Sequence, residues 1–211
     1  MFNALKKRLL NSLYFNLIKL KNEIAQSKLE NNIKKLKKYG TLNDINRETH
    51  IICPERVEIG SYIYIGPGAY ISGWGGVSIA NGTIIGPNLA IHSANHNFKN
   101  SKYIPYDETF DFRKVTIGEN VWIGANVIIV PGAEIGEGCI VAAGTVVSGN
   151  IPPLSIIAGN PCKVIKQRDA EHYFKLKTEN LIYLKNKKEK NLIPDVHFGY
   201  SETEDLLKNS N

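Results

Sequence analysis

Aliphatic side chains return at every sixth position along residues 115–147. The repeated positions are Ile117, Ile123, Ile129, Ile135, Val141 and Val147. An α-helix would space apolar residues by three and four, and an ordinary half-buried strand would space them by two. A second series of small or apolar residues keeps the same period at Val121, Val127, Ala133, Cys139, Thr145 and Ile151. A fixed period of this kind predicts a repeat architecture.

The same period is present upstream. Ile59, Ile65 and Ile71 are in phase, the sequence GWGG at 73–76 shifts the phase by two residues, and Ile79, Ile85 and Ile91 resume it. The polar, aromatic and proline-containing segment 97–114 then interrupts the pattern. Long loops in compact folds commonly carry function, so this segment is predicted to be a functional loop that leaves the regular coil.

Each six-residue unit can form one short strand followed by a bend. The aliphatic side chain points inward, and the next residue, Gly at 118, 124 and 136, is expected to let the backbone turn. Three such strands make one coil, and several coils must stack before the core is closed. Residues 59–96 and 117–152 supply about four coils. The fold is therefore predicted to be mainly β, a β-solenoid with helical flanks.

The predicted organisation has three parts. Residues 1–56 form an N-terminal helical segment and linker, residues 57–168 form the solenoid domain with its loop at 97–114, and residues 169–211 form a C-terminal helix and tail. The helix at residues 1–38 is predicted from apolar residues at helical spacing, Leu5, Leu9, Leu13, Leu17, Leu20 and Ile24. This stripe is expected to pack on the main domain or on another subunit, with membrane-surface contact as the alternative.

The net charge of +6 is concentrated at the N-terminus. Residues 1–40 hold ten Lys or Arg and only two Glu, so the remainder of the chain is nearly neutral. This distribution argues against a nucleic-acid-binding enzyme body. It suits contact of the first segment with an anionic membrane surface or an acidic partner.

Three cysteines without CxxC spacing argue against a disulfide framework or a zinc site. No apolar run reaches the roughly 20 residues of a membrane-spanning helix, and no signal-peptide cleavage pattern follows the first 20 residues. A cytoplasmic location is expected, with the inner face of the membrane as the alternative position.

The motifs VWIGANVIIVPGAEIGEG, VAAGTVVSGNIPP and IIAGNPCKVIK resemble the hexapeptide-repeat acyltransferases, within them the galactoside/maltose and serine O-acetyltransferases. The resemblance covers residues 57–168. It implies a left-handed parallel β-helix and a homotrimer that binds acetyl-CoA between neighbouring subunits. It also implies direct acetyl transfer to a hydroxyl or an amine, with no metal required.

The histidines suggest a general base. An alcohol needs a base near its hydroxyl to attack a thioester at neutral pH, and histidine has a suitable pKa. Only His92 and His96 lie within the repeats. The sequence Ala94-Asn95-His96, at the start of the loop, matches the position of the family's catalytic histidine, so His96 is predicted to be the base. His92 is expected to face outward or to fit a turn, with an acceptor contact as its functional alternative.

The resemblance also assigns the donor site. Trp122 would shape the acyl channel, Ala125 and Ala143 would let pantetheine run close to the backbone, and Ser148 would add a polar contact. Lys163 and Lys166 would meet the phosphates of CoA as point charges. A covalent route is disfavoured because Cys139 is core-directed and Cys162 has no basic neighbour in sequence.

The acceptor is expected to be a sugar hydroxyl, in a surface polysaccharide or its precursor. Tyr64, Tyr70 and Trp74 could stack on a sugar ring, with Asn95 and His92 as further contacts. The alternatives are a serine-type, drug-type (streptogramin-like) or sugar N-acetyltransferase. A γ-type carbonic anhydrase would need three converging histidines, and a non-catalytic solenoid scaffold would not bind acetyl-CoA.

Overall fold

Three parallel β-sheets form the walls of a β-solenoid in the computed structural model, which describes residues 2–192. The strands of the coils are β1 (Lys38–Tyr39), β2 (Asp44–Ile45), β3 (His50–Ile52), β4 (Val57–Ile59), β5 (Tyr64–Ile65), β6 (Tyr70–Ser72), β7 (Val77–Ile79), β8 (Ile84–Ile85) and β9 (Ala90–His92). After the interruption they continue as β12 (Val115–Ile117), β13 (Trp122–Ile123), β14 (Ile128–Ile129), β15 (Glu134–Ile135), β16 (Ile140–Val141), β17 (Val146–Val147), β18 (Asn150–Ile151), β19 (Ser155–Ala158) and β20 (Lys163–Gln167). The interruption contains β10 (Ala94–His96) and β11 (Phe110–Phe112).

Successive strands along the chain belong to different sheets. Sheet 1 has the order β1-β4-β7-β12-β15-β18, sheet 2 the order β2-β5-β8-β13-β16-β19-β20, and sheet 3 contains β3, β6, β9, β14 and β17. Each strand pairs in parallel with the strand one coil away, except β20, which reverses and pairs antiparallel with β19. Five complete coils and a partial sixth result, which confirms the β-solenoid.

The aliphatic series fills the interior as predicted. Its twelve members from Ile59 to Val147 are at most 2% exposed, and the second series is buried beside it. Burying an aliphatic side chain of this size stabilises the fold by about 1.5–3 kcal/mol. Ile151 was assigned to the second series, but it pairs with Ile135, a member of the first series. The turn before Ile151 is shortened, so the chain changes phase there.

The glycine after each aliphatic residue has a different role from the predicted one. A Cβ on Gly124 would lie 2.7 Å from the backbone nitrogen of Ala143 in the next coil, so this glycine permits the close approach of stacked coils. The left-handed turn falls two residues later, for example at Asn126 (φ 56°) and Gly144 (φ 71°). Gly and Asn are the residues that adopt this backbone conformation most easily.

The solenoid begins earlier than the predicted boundary at residue 57. Residues 38–52 form a complete first coil, with β1, β2 and β3 paired to β4, β5 and β6. Helix α1 (Phe2–Ile33) precedes it, and Leu29 near its end is 2% exposed. The phase is hidden in the sequence because the step from Ile51 to Ile59 is eight residues, taken through a 3-10 turn at Pro54–Arg56.

The C-terminal segment contains two helices where one was predicted from Ala170 to Lys190. They are α2 (Ala170–Thr178) and α3 (Tyr183–Lys190), separated by a turn in which Asn180 is left-handed (φ 58°). Both lie along the corner between sheets 1 and 2. The predicted tail after α3 falls outside the described residues from 193 onward. Within residues 2–192, no helix combines the length and apolar character that crossing a bilayer requires.

Candidate active site

Extra residues enter the solenoid at one corner, where sheet 3 leads into sheet 1. The turn at 53–56 follows β3, the GWGG turn at 73–76 follows β6, and the long excursion at 93–114 follows β9. The three insertions stack: Arg56 donates a hydrogen bond to the carbonyl oxygen of Trp74, and the backbone N–H of Gly75 donates to the hydroxyl of Ser93 (2.8 Å). The excursion is therefore anchored on the corner of the preceding coils.

The excursion begins and ends in an antiparallel hairpin. Strands β10 and β11 pair His96 with Phe110 and Ala94 with Phe112. Between them, Asp107 is only 7% exposed and accepts hydrogen bonds from the backbone N–H of Lys102 (3.0 Å) and from the backbone and hydroxyl of Thr109. The bonds from Thr109 and Lys102 lower the pKa of Asp107. This carboxylate holds the loop folded over His96.

Two aromatic rings pack against His96. The Tyr106 ring is stacked on it with centroids 3.7 Å apart, and the Phe110 ring lies 4.6 Å away. The Nδ1 atom of His96 is buried, and within residues 2–192 it has no hydrogen-bond partner. Buried polar atoms without partners are rare in native folds, and a catalytic role is one of the reasons for them.

A cleft of about 290 Å³ opens beside His96. Its walls are formed by Asn95, Asn97, Phe98, Lys99, Asp111, Arg113, Val130 and Pro131. Arg113 is paired with Asp111, at 2.9 Å from Nε and 2.8 Å from Nη2. The cleft therefore presents amide, carboxylate and guanidinium groups next to an imidazole, which suits a polar acceptor rather than an apolar one.

The predicted donor residues lie on other surfaces of the same chain. Trp122 is 55% exposed on the outer face of sheet 2, and Ala125 and Ala143 are stacked at the corner between sheets 2 and 3. Lys163 pairs with Ala158 beside that corner. Lys166 and Ser148 are exposed, on β20 and after β17 respectively.

Trp122 also borders a cleft of about 260 Å³ beneath α2 and α3. Within one chain, the structure gathers Ala125, Ala143 and Lys163 at one corner but does not bring Trp122 or this corner into the cleft of His96.

The predicted acceptor residues also lie on different surfaces of the chain. His92 is exposed, as expected, and its ring lies 5.7 Å from that of Tyr70, which in turn lies 5.8 Å from His50. These rings lie on the outer face of sheet 3, and Tyr64 lies on sheet 2. Only Trp74 and Asn95 lie at the corner that carries His96.

Sequence reasoning did not single out Tyr106, Asp107, Phe110 or Arg113. The alternation in FDF at 110–112 was a readable signal for a strand with one aromatic face. Cys139 was predicted to be inert, and its thiol is buried; desolvation raises its pKa, which opposes thiolate formation. In the described part of the chain, no group of three His, Cys, Asp or Glu side chains could hold a metal ion.

Comparison with known proteins agrees with this architecture. Residues 114–149 match the family described as bacterial transferase hexapeptide (six repeats). The Saccharomyces cerevisiae protein YJL218W, named as a candidate acetyltransferase, is 37% identical over 155 residues, which cover 63% of this chain and 78% of that protein. The chain belongs to the hexapeptide-repeat acetyltransferase family.

Two relatives in Escherichia coli K12 carry more specific names. Galactoside O-acetyltransferase is 38% identical over 106 residues, covering 47% of this chain and 49% of that protein. WbbJ, named as a candidate O-acetyl transferase of lipopolysaccharide biosynthesis, is 38% identical over 128 residues, covering 57% of this chain and 62% of that protein. The chain thus spans about half to two thirds of the length of these two hexapeptide-repeat proteins.

Among solved structures of the family, a maltose O-acetyltransferase from Clostridium difficile 630 superposes with a TM-score of 0.56. It is 26% identical, and the superposition covers 65% of this chain and 73% of that one. The repeat solenoid is therefore shared at the level of three-dimensional structure.

Proposed function

We propose that this protein is an acetyl-CoA-dependent O-acetyltransferase that acetylates a sugar hydroxyl of a surface polysaccharide or its precursor. The observation that carries the proposal is the unpartnered, buried Nδ1 of His96 beside a polar cleft, at the edge of a hexapeptide-repeat solenoid. The sugar class is supported by relatives named for galactoside, maltose and lipopolysaccharide acetylation.

His96 serves as the general base. It accepts the proton of the acceptor hydroxyl as that oxygen attacks the thioester carbonyl, and it returns the proton to the CoA thiolate when the C–S bond breaks. Tyr106 and Phe110 hold the imidazole in one orientation. Acetyl-CoA, when bound, supplies the acetyl group as an activated thioester. Ala125, Ala143 and the neighbouring glycines leave room for pantetheine along the corner between sheets 2 and 3, and Lys163 would meet its phosphates.

We further propose that the active site is completed in a homotrimer. Within one chain, His96 and Trp122 lie in separate clefts, which supports a site that joins the base of one subunit to the donor residues of its neighbour. The outer face of sheet 3 supports such an assembly, because Tyr70, Ala90, Ile128 and Val146 form a mainly apolar column along it. The corresponding column on sheet 1 is polar.

The test is an acceptor screen with radiolabelled acetyl-CoA. The acceptors are galactosides, maltose, nucleotide sugars, polysaccharide fragments, serine and a streptogramin, tested with wild type and His96→Ala. We expect transfer to at least one sugar and a loss of about 10²- to 10⁴-fold in His96→Ala, the usual contribution of general base catalysis. Mild alkali should release the label, because it cleaves O-acetyl esters and leaves N-acetyl amides intact.

His172→Ala is the matched control, because His172 lies on α2 and is exposed. It should retain wild-type activity. Alkali-stable label, transfer to serine or the streptogramin alone, or full activity in His96→Ala would contradict the proposal.

A further inference from the structure

Three exposed aromatic rings form a row that ends at His96. The Trp74 and Phe112 rings have centroids 6.5 Å apart and planes 17° apart, and the Phe112 and Phe110 rings are 6.0 Å and 9° apart. Phe110 then contacts His96. Each ring of this aromatic row (Trp74, Phe112, Phe110) is 48–51% exposed. Single exposed aromatics are common, but a contiguous row of rings with nearly parallel planes marks an interaction site.

The stacked insertions of the corner build this row. Side chains alternate along a strand, so Phe110 and Phe112 share one face of the hairpin. The cross-strand neighbour of Phe112 is Ala94, whose small side chain leaves the Phe112 ring uncovered. Trp74 projects from the GWGG turn one coil earlier, where its backbone is held by Arg56 and by the hydrogen bond from Gly75 N–H to the Ser93 hydroxyl.

The opposite face of the same hairpin is polar. Asn95, Asp111 and Arg113 alternate with the aromatic positions and line the cleft beside His96. Arg113 is paired with Asp111, so the cleft offers hydrogen-bonding groups together with the ammonium group of Lys99. His96 lies where the aromatic row and this polar cleft meet.

We propose that the aromatic row binds consecutive sugar rings of the acceptor, so that the substrate is a glycan chain rather than a single sugar. The inference rests on the proposed function and names its substrate class. A pyranose presents a face of C–H bonds that suits the electron-rich face of an aromatic ring, while its hydroxyls need hydrogen-bonding partners at the edge. The rings follow one another at centroid distances of 6.0 to 6.5 Å, and the row leads directly to the proposed base.

Binding can be measured without activity, since the chain contains two tryptophans. In Trp122→Phe, Trp74 is the sole tryptophan and reports on the far end of the aromatic row. The probes are malto-, galacto- and N-acetylglucosamine oligosaccharides, each as a monosaccharide and as a hexasaccharide. We expect at least one hexasaccharide to change Trp74 emission with a Kd about tenfold below that of its monosaccharide, because two additional stacked rings contribute.

Phe112→Ala in the same background should abolish this difference. Phe174→Ala is the matched control, because Phe174 is 50% exposed on α2, away from the row. If no series shows a dependence on chain length, the inference is overturned. It is also overturned if Phe112→Ala converts an oligomer to single chains while Trp74 ignores every glycan, since the row would then be a subunit contact.

Activity separates this inference from the proposed function. With an acceptor that the enzyme acetylates, the ratio of kcat/KM for the long chain to that for the single sugar should fall about tenfold in Trp74→Ala and Phe112→Ala. A wild-type ratio near one refutes the glycan inference while leaving the acetyltransferase intact. Chain-length-dependent binding without any acetyl transfer refutes the proposed function instead.

Discussion

Asp107 is the residue on which the geometry around His96 depends most directly. Its carboxylate is nearly buried, accepts hydrogen bonds from both sides of the loop, and shapes the segment that carries Tyr106 and Phe110. It does not lie on the surface of the cleft beside His96. Asp107 is therefore a positioning residue for the proposed base.

Asp107→Ala should release the loop and disorient His96. We expect trypsin to cleave after Lys99 or Lys102 at least several-fold faster than in wild type, and kcat to fall while the solenoid stays folded by circular dichroism. Glu108→Ala is the control, because Glu108 is exposed and forms only a surface ion pair with Lys102 (3.6 Å). Equal cleavage rates in both variants would show that Asp107 does not hold the loop.

At the scale of single residues, the sequence predicted the buried positions, whereas the roles that it assigned to the site residues stay predictions. The aliphatic positions follow from periodicity because every coil turns the same positions of its strands towards the interior. His96 was singled out through its motif, and its role as the base stays a prediction. Asp107 and Tyr106 were not singled out, because their contacts depend on how an irregular loop folds back, which no period encodes.

Helix α2 is held to the solenoid by one polar cluster. The Tyr173 hydroxyl donates to Glu137 (2.9 Å) and accepts from Asn120 (3.2 Å), and Lys177 bridges Glu137 and Glu119. Burial raises the pKa of Tyr173 to about 12. The hydrogen bond to Glu137 also raises the pKa of Lys177.

The Tyr173 hydroxyl should stabilise the fold in a pH-dependent way. A folded-state pKa above the unfolded value of about 10 means that the contribution is complete below pH 10 and is lost as pH rises towards 12. Tyr173→Phe should thus be about 1 kcal/mol less stable than wild type at pH 8, and the gap should shrink between pH 10 and 12. Urea unfolding at each pH measures the free energy of unfolding of wild type and variant, and Tyr183→Phe, at an exposed tyrosine, is the control. A difference between wild type and Tyr173→Phe that stays constant from pH 8 to pH 12 would contradict this account.

At the scale of secondary-structure elements, the start of the solenoid and the break in the C-terminal helix differ from the predicted boundaries. The first coil carries the period at Tyr39, Ile45 and Ile51, but Tyr39 is exposed and the next step is eight residues long. The C-terminal break at Asn180 gives only a weak sequence signal, since Asn is tolerated in helices. Local propensity does not determine the position of either feature. The first coil is fixed by its contacts with the next coil, and the helix break by contacts with the corner between sheets 1 and 2.

The outer faces of the whole solenoid differ in polarity. Ile128, 41% exposed, lies at the centre of the apolar column on sheet 3, whereas Thr116 occupies the equivalent place in the polar column on sheet 1. If sheet 3 is the subunit interface, Ile128→Lys should convert a three-chain particle to single chains in light scattering. Thr116→Lys should leave the mass unchanged. A wild-type protein that is itself a single chain would refute the homotrimer.

Helix α1 leaves an apolar stripe uncovered, formed by Leu10, Leu13, Leu17, Leu20 and Ile24, each 47–57% exposed. The stripe is not packed on the solenoid of the same chain, contrary to one predicted contact. Packing on another subunit and, as the alternative, contact with an anionic membrane surface remain predictions. Sedimentation with vesicles containing phosphatidylserine should capture the full chain at low salt and release it at high salt. Removal of residues 1–28 should abolish capture, whereas vesicles of phosphatidylcholine should capture neither form.

The insertions at a single corner have a consequence for how such an enzyme can change. Each coil touches only its neighbours, and lengthening a surface turn costs little conformational entropy. Segments 73–76 and 97–109 could therefore be exchanged with those of another solenoid enzyme while the stacked aliphatic column stays intact. Grafting at that edge offers a route to redirecting acceptor choice with little loss of thermal stability.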